Sequence, residues 1–201
     1  EQKQHIEELY ALCCLQEPLT QELFLVSDMN VEPEKPCFFL GYEAAHLVSV
    51  LTAFFPTKEE VEFTGFTHPG KRERGYMTAL IAAALPLFSH TTYTQALFIR
   101  EKGSQSGEKY LNKRYPTIAR TEYVLELKSS EWRTRQSTGM LTEVTQQTQE
   151  IAGKILSEIF EQDEQTSKQH LSFLLSRPDG QVFLYYIEGV PVGTLNVHYL
   201  D

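Results

Sequence analysis

The sequence predicts an α/β (α+β) domain followed by the beginning of a second copy of it. Three observations carry this. An alternating strand pattern at residues 60–67 runs into a loop rich in glycine and arginine, and then directly into an amphipathic helix. A hairpin pattern at residues 37–55 precedes that unit. A helix pattern and a second hairpin recur over residues 149–200, beyond a polar stretch.

The elements follow in order. Residues 4–15 place Ile6, Leu9, Tyr10, Cys13 and Cys14 at helical spacing. After Pro18 comes a short apolar run, Leu23 to Val26, and then a loop at residues 31–36. Cys37 to Tyr42 is strand-like, Glu43 to Ala45 is a turn, and His46 to Phe55 is a second strand closed by Pro56. In Glu60 to Thr67, the residues Glu60, Glu62, Thr64 and Phe66 face one way, and Val61, Phe63, Gly65 and Thr67 the other. The loop HPGKRERG covers residues 68–75. Met77, Leu80, Ile81, Ala84, Leu85 and Phe88 then form one helical stripe, which Pro86 should kink or end. Thr94 to Ile99 is a further strand, residues 101–109 a polar loop, Tyr110 to Arg114 a short helix, and Glu122 to Leu127 a last strand.

Residues 128–139 are polar and lack periodicity, so they read as a linker after a first domain at 1–128. A helix at 149–160 and a hairpin from Val182 to Leu200 follow, within a second domain at 140–201. The acidic stretch Glu158 to Glu164 reads as a solvated helix end. Residues 37–55 lie over 182–200 without a gap at an offset of 145, pairing Phe38 with Phe183 and Glu43 with Glu188. On this alignment the second copy reaches Asp201 just before its own phosphate loop, which is expected further on.

The strand–loop–helix unit is an anion-binding arrangement. The first N–H groups of a helix have no internal partner, and its dipole favours negative charge there. Gly75 lets backbone approach a phosphate closely. Arg72 and Arg74 can add charge-assisted hydrogen bonds, and Thr78 a hydroxyl. Gly70 and Gly75 stand at the spacing of a nucleotide-binding P-loop, but Tyr76 and Met77 occupy its Lys and Ser/Thr positions, which rejects that reading.

The segment TGFTHPGKRERGYMTALIAAAL, residues 64–85, resembles the central signature of the GNAT superfamily of N-acyltransferases: a strand, a proline, then Arg/Gln-x-x-Gly-x-Gly/Ala opening a helix. The resemblance extends over residues 1–128 and implies a mixed central sheet with splayed strands flanked by helices. It implies that Gly65, Phe66 and Thr67 hold the pantetheine arm of acetyl-CoA through backbone groups. Arg72, Glu73, Arg74, Gly75, Tyr76, Met77 and Thr78 would bind its pyrophosphate. A primary amine, on a small molecule or a peptide, would attack the thioester directly. Glu62 is the candidate base, with a solvated strand glutamate as the alternative. The candidate acid is Tyr110. Leu111 stands at the family's tyrosine position, and Tyr110 is one residue early, about 100° around a helix. Met77 departs from the family's small residue. A non-catalytic acyl-CoA-binding domain that supports a second, catalytic one is the competing expectation.

Composition bounds the rest. The chain has 201 residues, 41% hydrophobic and 22% charged, as a globular protein needs. A net charge of -9 argues against a nucleic-acid partner. The three cysteines, Cys13, Cys14 and Cys37, form neither a disulfide framework nor a metal spacing, so no metal is expected. The apolar run from Met77 to Phe88 is too short to cross a bilayer, so no membrane partner is expected either. The chain opens on Glu1 with no visible signal peptide, which suggests ends that are not the natural ones and fits a cytoplasmic protein. A homodimer is compatible with all of this.

Overall fold

The computed structural model describes residues 2–20, 23, 25, 27, 30–89, 92–123, 138–161, 163–176, 178 and 180–198. The chain divides into two units, residues 1–122 and 123–201. Most of the linker expected at 128–139 and most of the strand expected at 122–127 lie outside the described residues.

The first unit opens with α1 (Gln2–Cys14). Ile6, Leu9 and Cys13 recur at i, i+3 and i+7 and form its buried stripe. Four strands follow: β1 (Phe38–Glu43), β2 (His46–Phe54), β3 (Glu60–Thr67) and β4 (Gln95–Phe98), in spatial order β1-β2-β3-β4. The first two pairings are antiparallel and β3–β4 is parallel, so the sheet is mixed. The two-residue period sorts its side chains onto two faces. Val50 and Phe66 meet α1 on one face. Leu51, Ala53, Val61 and Phe63 meet α2 (Tyr76–Ala84) on the other, through Leu80, Ile81 and Ala84. A helix therefore covers each face of the sheet. Pro86 acts as expected: α2 ends at Ala84 and a single 3-10 turn, Leu85–Leu87, follows. Phe55, Phe63, Phe88, Tyr93 and Phe98 form an edge-to-face and stacked aromatic cluster that fixes β4 beside β3.

Helix α3 (Gln105–Arg114) starts five residues before the expected short helix. The Ser104 hydroxyl accepts the Gly107 N–H at 3.2 Å and caps it. Capping by serine thus overrides the glycine and polar residues that read as loop.

The second unit holds β5 (Met140–Glu143), α4 (Gln149–Phe160), α5 (Glu164–Ser176), β6 (Gly180–Ile187) and β7 (Val190–His198), with an antiparallel sheet in the order β5-β6-β7. Ala152, Leu156, Leu171 and Leu174 pack on Val182 and Leu184. The acidic stretch is not one solvated helix end. Glu161 adopts a left-handed conformation (φ 51°) that stops α4, and the Asp163 carboxylate accepts the Gln165 and Thr166 N–H groups at 2.9 and 3.0 Å to start α5.

The two hairpins share a construction, at an offset one residue smaller than the sequence alignment proposed. Pairing jumps from Gly41↔Ser49 to Tyr42↔Leu47 and leaves Val48 as an extra residue. It jumps from Tyr185↔Gly193 to Tyr186↔Pro191 and leaves Val192. The turns begin at Ala44 (φ 52°) and Glu188 (φ 50°). Both landmarks give 144, not 145, and align Phe39 with Phe183, Leu40 with Leu184, Tyr42 with Tyr186, Val48 with Val192 and Leu51 with Leu195. A one-residue slip moves every side chain to the opposite face, which is why the bulge decides the register where similarity alone did not.

Candidate anion site between parted strands

Strand β3 outruns its neighbour. The last bond between them is from the Ile99 N–H to the Phe63 carbonyl at 2.8 Å. The chain leaves after Phe98, whereas β3 continues to Thr67 paired with β2 alone. Alternation along the strand fixes the consequence. The Phe63 carbonyl faces β4, so the N–H and carbonyl of Gly65 lie on the same, parted side. The Thr64 and Phe66 carbonyls face β2, where the Thr52 and Ser49 hydroxyls reach them.

The loop after β3 is tightly organised. The His68 imidazole Nδ1 accepts the Gly70 N–H at 3.1 Å over a 3-10 turn, Pro69–Lys71. Glu73 and Gly75 both have positive φ, 62° and 86°. A side chain at Gly75 would meet nothing within 4 Å, so the glycine answers a backbone requirement and faces open space. Gly75 caps α2 without any side-chain hydrogen bond, which leaves the N–H groups of the first turn uncapped by side chains.

A cavity of about 600 Å³ lies where the loop and the parted strands meet. Gly65, Phe66, Thr67, Arg72, Glu73, Gly75, Tyr76, Met77 and Thr78 line it, so nearly all the predicted binding residues come together. Six basic side chains also line it: Lys71, Arg72, Arg100, Lys109, Lys113 and Arg114. In a chain of net charge -9 this is a local reversal of sign. Glu17 and Glu73 are the carboxylates among the described lining residues.

The basic loop is held in place. Glu43, at the end of β1, pairs with Lys71, lies 3.7 Å from Arg74 and accepts the Tyr76 hydroxyl at 2.9 Å. The bond from Lys71 holds the Glu43 carboxyl below the usual range, with Tyr76 assisting, and the same contact raises the Tyr76 phenol. Lys109 on α3 bonds Glu73 at 2.5 Å. Arg72 Nη2 lies 3.0 Å from Glu17 Oε2, and its Nε donates to the Thr67 carbonyl at 3.3 Å.

The two candidate catalytic residues part company. Tyr110 lines the cavity, exchanges a hydrogen bond of 3.1 Å with the Thr78 hydroxyl, and carries the Arg114 guanidinium 4.2 Å from its ring centre. Glu62 is not among the lining residues. It faces the Phe66 side of β3, where Arg120 binds it together with Glu60, 3.2 Å away, and Glu122, 3.0 Å away. Burial pushes the Glu62 carboxyl above the usual range, Arg120 pulls it back, and Glu60 adds to the rise. The Met77 thioether lies against the backbone of Gly65, where an added Cβ would stand 2.7 Å from Cε and 2.9 Å from Sδ.

Sequence reasoning missed Glu17 and Ser106 altogether, since nothing in the chain links positions so far apart. Lys109 and Lys113 did carry a signal, because their i, i+4 spacing puts two cations on one helical face. All three cysteines are free thiols. Among the described residues no group of His, Cys, Asp and Glu could hold a metal ion, and no helix is long and apolar enough to cross a membrane.

No family model matches the chain, and no curated protein does. Solved structures show partial likeness. A ribosomal-protein-alanine N-acetyltransferase from Brucella melitensis biovar Abortus 2308 is similar at 14% identity and TM-score 0.37, over 44% of this chain and 68% of that one. The aminoglycoside acetyltransferase meta-AAC0020, from an uncultured soil metagenomic sample, is similar at 12% identity over 60% of this chain and 88% of that one. Its TM-score is 0.41 in complex with sisomicin and 0.42 with trehalose.

Proposed function

We propose that residues 1–122 bind acetyl-CoA and that the chain is a GNAT-like N-acetyltransferase acting on a primary amine. The cradle carries this reading: an uncapped helix start behind a left-handed glycine, beside a parted strand edge, in a cavity rich in cations. The fit is physical. Gly75 leaves room for an anion to approach backbone N–H groups. About 600 Å³ is within the ~300–1,000 Å³ common for small-molecule and cofactor sites.

When bound, acetyl-CoA supplies the thioester carbonyl and a thiolate leaving group. The N–H groups of Tyr76, Met77 and Thr78 hold the diphosphate, and Lys113 and Arg114 add charge at the mouth. The parted edge of β3 at Gly65 holds the extended arm as an added strand would. Tyr110, oriented by Thr78 and stiffened by Arg114, donates a proton to the thiolate. Glu62, its carboxyl raised by burial, would take the proton of the amine once released from Arg120.

A second reading has its own observation. Arg120 holds Glu62 outside the cavity lining, which favours a non-catalytic acyl-CoA-binding domain. The matching bulges of the two hairpins favour a tandem arrangement, with the second unit repeating part of the first.

Acetyl-CoA is expected to raise the melting temperature of the chain, by an amount corresponding to ~2.7 kcal/mol at a hundred times its Kd. Gly75→Glu should abolish the shift. No shift at millimolar cofactor would sink the binding claim. Glu62→Gln separates the two readings: a strong loss of acetyl transfer with binding intact supports the enzyme, and unchanged turnover removes Glu62 from it.

A further inference from the structure

Glu17 is a carboxylate at the edge of a cationic cavity, yet only 8% exposed. It is fully engaged. Oε1 accepts the Ser106 N–H at 2.6 Å, in the first turn of α3. Oε2 accepts the Ser106 hydroxyl at 2.8 Å and lies 3.0 Å from Arg72 Nη2. A helix N–H, a serine hydroxyl and a guanidinium are the partners a phosphate oxygen takes. Here a side chain of the protein has taken them.

The segment carrying Glu17 is pinned on both sides. The Glu17 N–H donates to the Cys13 carbonyl at the end of α1, at 3.1 Å. The Thr20 N–H and hydroxyl donate to Glu101 at 2.7 and 3.1 Å. Gly103 sits against the Pro18 carbonyl so closely that a Cβ there would overlap it. Glu17 is therefore placed by its own backbone, and Arg72 comes to it.

We infer that Glu17 is an internal counter-ion of the cavity, a positioning residue that holds Arg72 away from the bound anion and so sets the anion affinity below what a free Arg72 would give. The inference rests on the acyl-CoA reading for its ligand and on the Glu17–Arg72–Ser106 geometry for its substance. It divides the loop's labour. The backbone of α2 meets the anion, and the side chain of Arg72, the first residue of the recognition pattern, ties β3, the segment after α1 and the start of α3 together.

Two measurements on the full chain test it, with acetyl-CoA and inorganic pyrophosphate as probes. Glu17→Gln keeps the shape, still accepts the Ser106 N–H, turns the amide NH2 to donate to the Ser106 hydroxyl, and removes the charge. Calorimetric titration should show about tenfold tighter binding than wild type. The gain should fade with added salt, because the released Arg72 charge is screened. The double variant Glu17→Gln, Arg72→Gln should lose the gain. Affinity equal to or below wild type in Glu17→Gln overturns the counter-ion role and leaves acetyl-CoA binding by wild type standing. Tighter pyrophosphate in Glu17→Gln, with acetyl-CoA bound by neither protein, upholds Glu17 and sinks the acyl-CoA reading. Failure of both probes with both proteins overturns both. The second measurement needs no variant. In wild type the Arg72 Nε–H nuclear magnetic resonance signal should stay in place on saturation with pyrophosphate while the Tyr76 to Thr78 amides shift. A comparable shift of Arg72 refutes the inference.

Discussion

Gly65→Ala inverts an ordinary expectation. Within a strand, replacing glycine by alanine gains about 0.5–1 kcal/mol, because the unfolded chain loses freedom. At Gly65 the new methyl would stand 2.7 Å from Met77 Cε, 2.9 Å from Sδ and 3.1 Å from the Val50 carbonyl oxygen. Ordinary carbon contacts begin near ~3.5 Å. The thioether must swing out of the space between α2 and β3, and such overpacking costs about 1–3 kcal/mol. The net result should be a loss of about 1–2 kcal/mol. Met77→Ala by itself should cost about 1 kcal/mol, since the side chain is half-buried and alanine favours the helix. In the Met77→Ala background the two closest contacts are gone, and Gly65→Ala should be nearly neutral. The coupling between the two sites is then about 1–2 kcal/mol, read from urea unfolding of the four proteins. Costs that add to within ~0.3–0.5 kcal/mol would refute the placement of Met77 on Gly65.

Two further outcomes are expected. Gly103→Ala meets backbone at Pro18, which cannot swing aside, so it should cost at least ~2 kcal/mol by thermal unfolding. Arg120→Ala should destabilise the chain at neutral pH, and the deficit should shrink in acid. The Glu62 carboxyl is raised in the folded state, so its contribution is favourable below the unfolded pKa and is lost as pH rises through the higher folded one. Removing Arg120 raises it further, and melting profiles against pH should separate at neutral pH and converge in acid. A deficit independent of pH would place the role of Arg120 elsewhere.

The strand–loop–helix unit was legible because each part carries its own local signal. Alternation marks β3, Gly75 the break, the Leu80, Ile81 and Ala84 stripe the helix, and Pro86 its end. Elements without such signals were not legible. Helix α3 begins in a run of serine, glycine and glutamate whose helical state depends on the Ser104 cap. Helix α5 has few apolar residues and is set off by Asp163. Strand β5 is four residues and exposed, with no alternation to read. The lining of the site was legible along the loop, where neighbours in sequence are neighbours in space. It was not legible for Glu17 and Ser106, which meet only because the segment after α1 reaches the first turn of α3. Glu62 was placed on the correct face of its strand, but alternation says nothing about how far along that face a cavity reaches.

The shared register of the two hairpins makes the chain its own control. Leu51 pairs with Phe39, and Leu195 pairs with Phe183, at matching positions of matching bulged ribbons. Leu51 is 1% exposed beneath α2, and Leu195 is 45% exposed. The same residue, in the same seat, occurs once roofed and once open. The difference in cost between Leu51→Asn and Leu195→Asn therefore measures what a covering helix and a third strand, β3 beside β2, add together to such a ribbon, with the residue and its phenylalanine partner held constant inside one molecule.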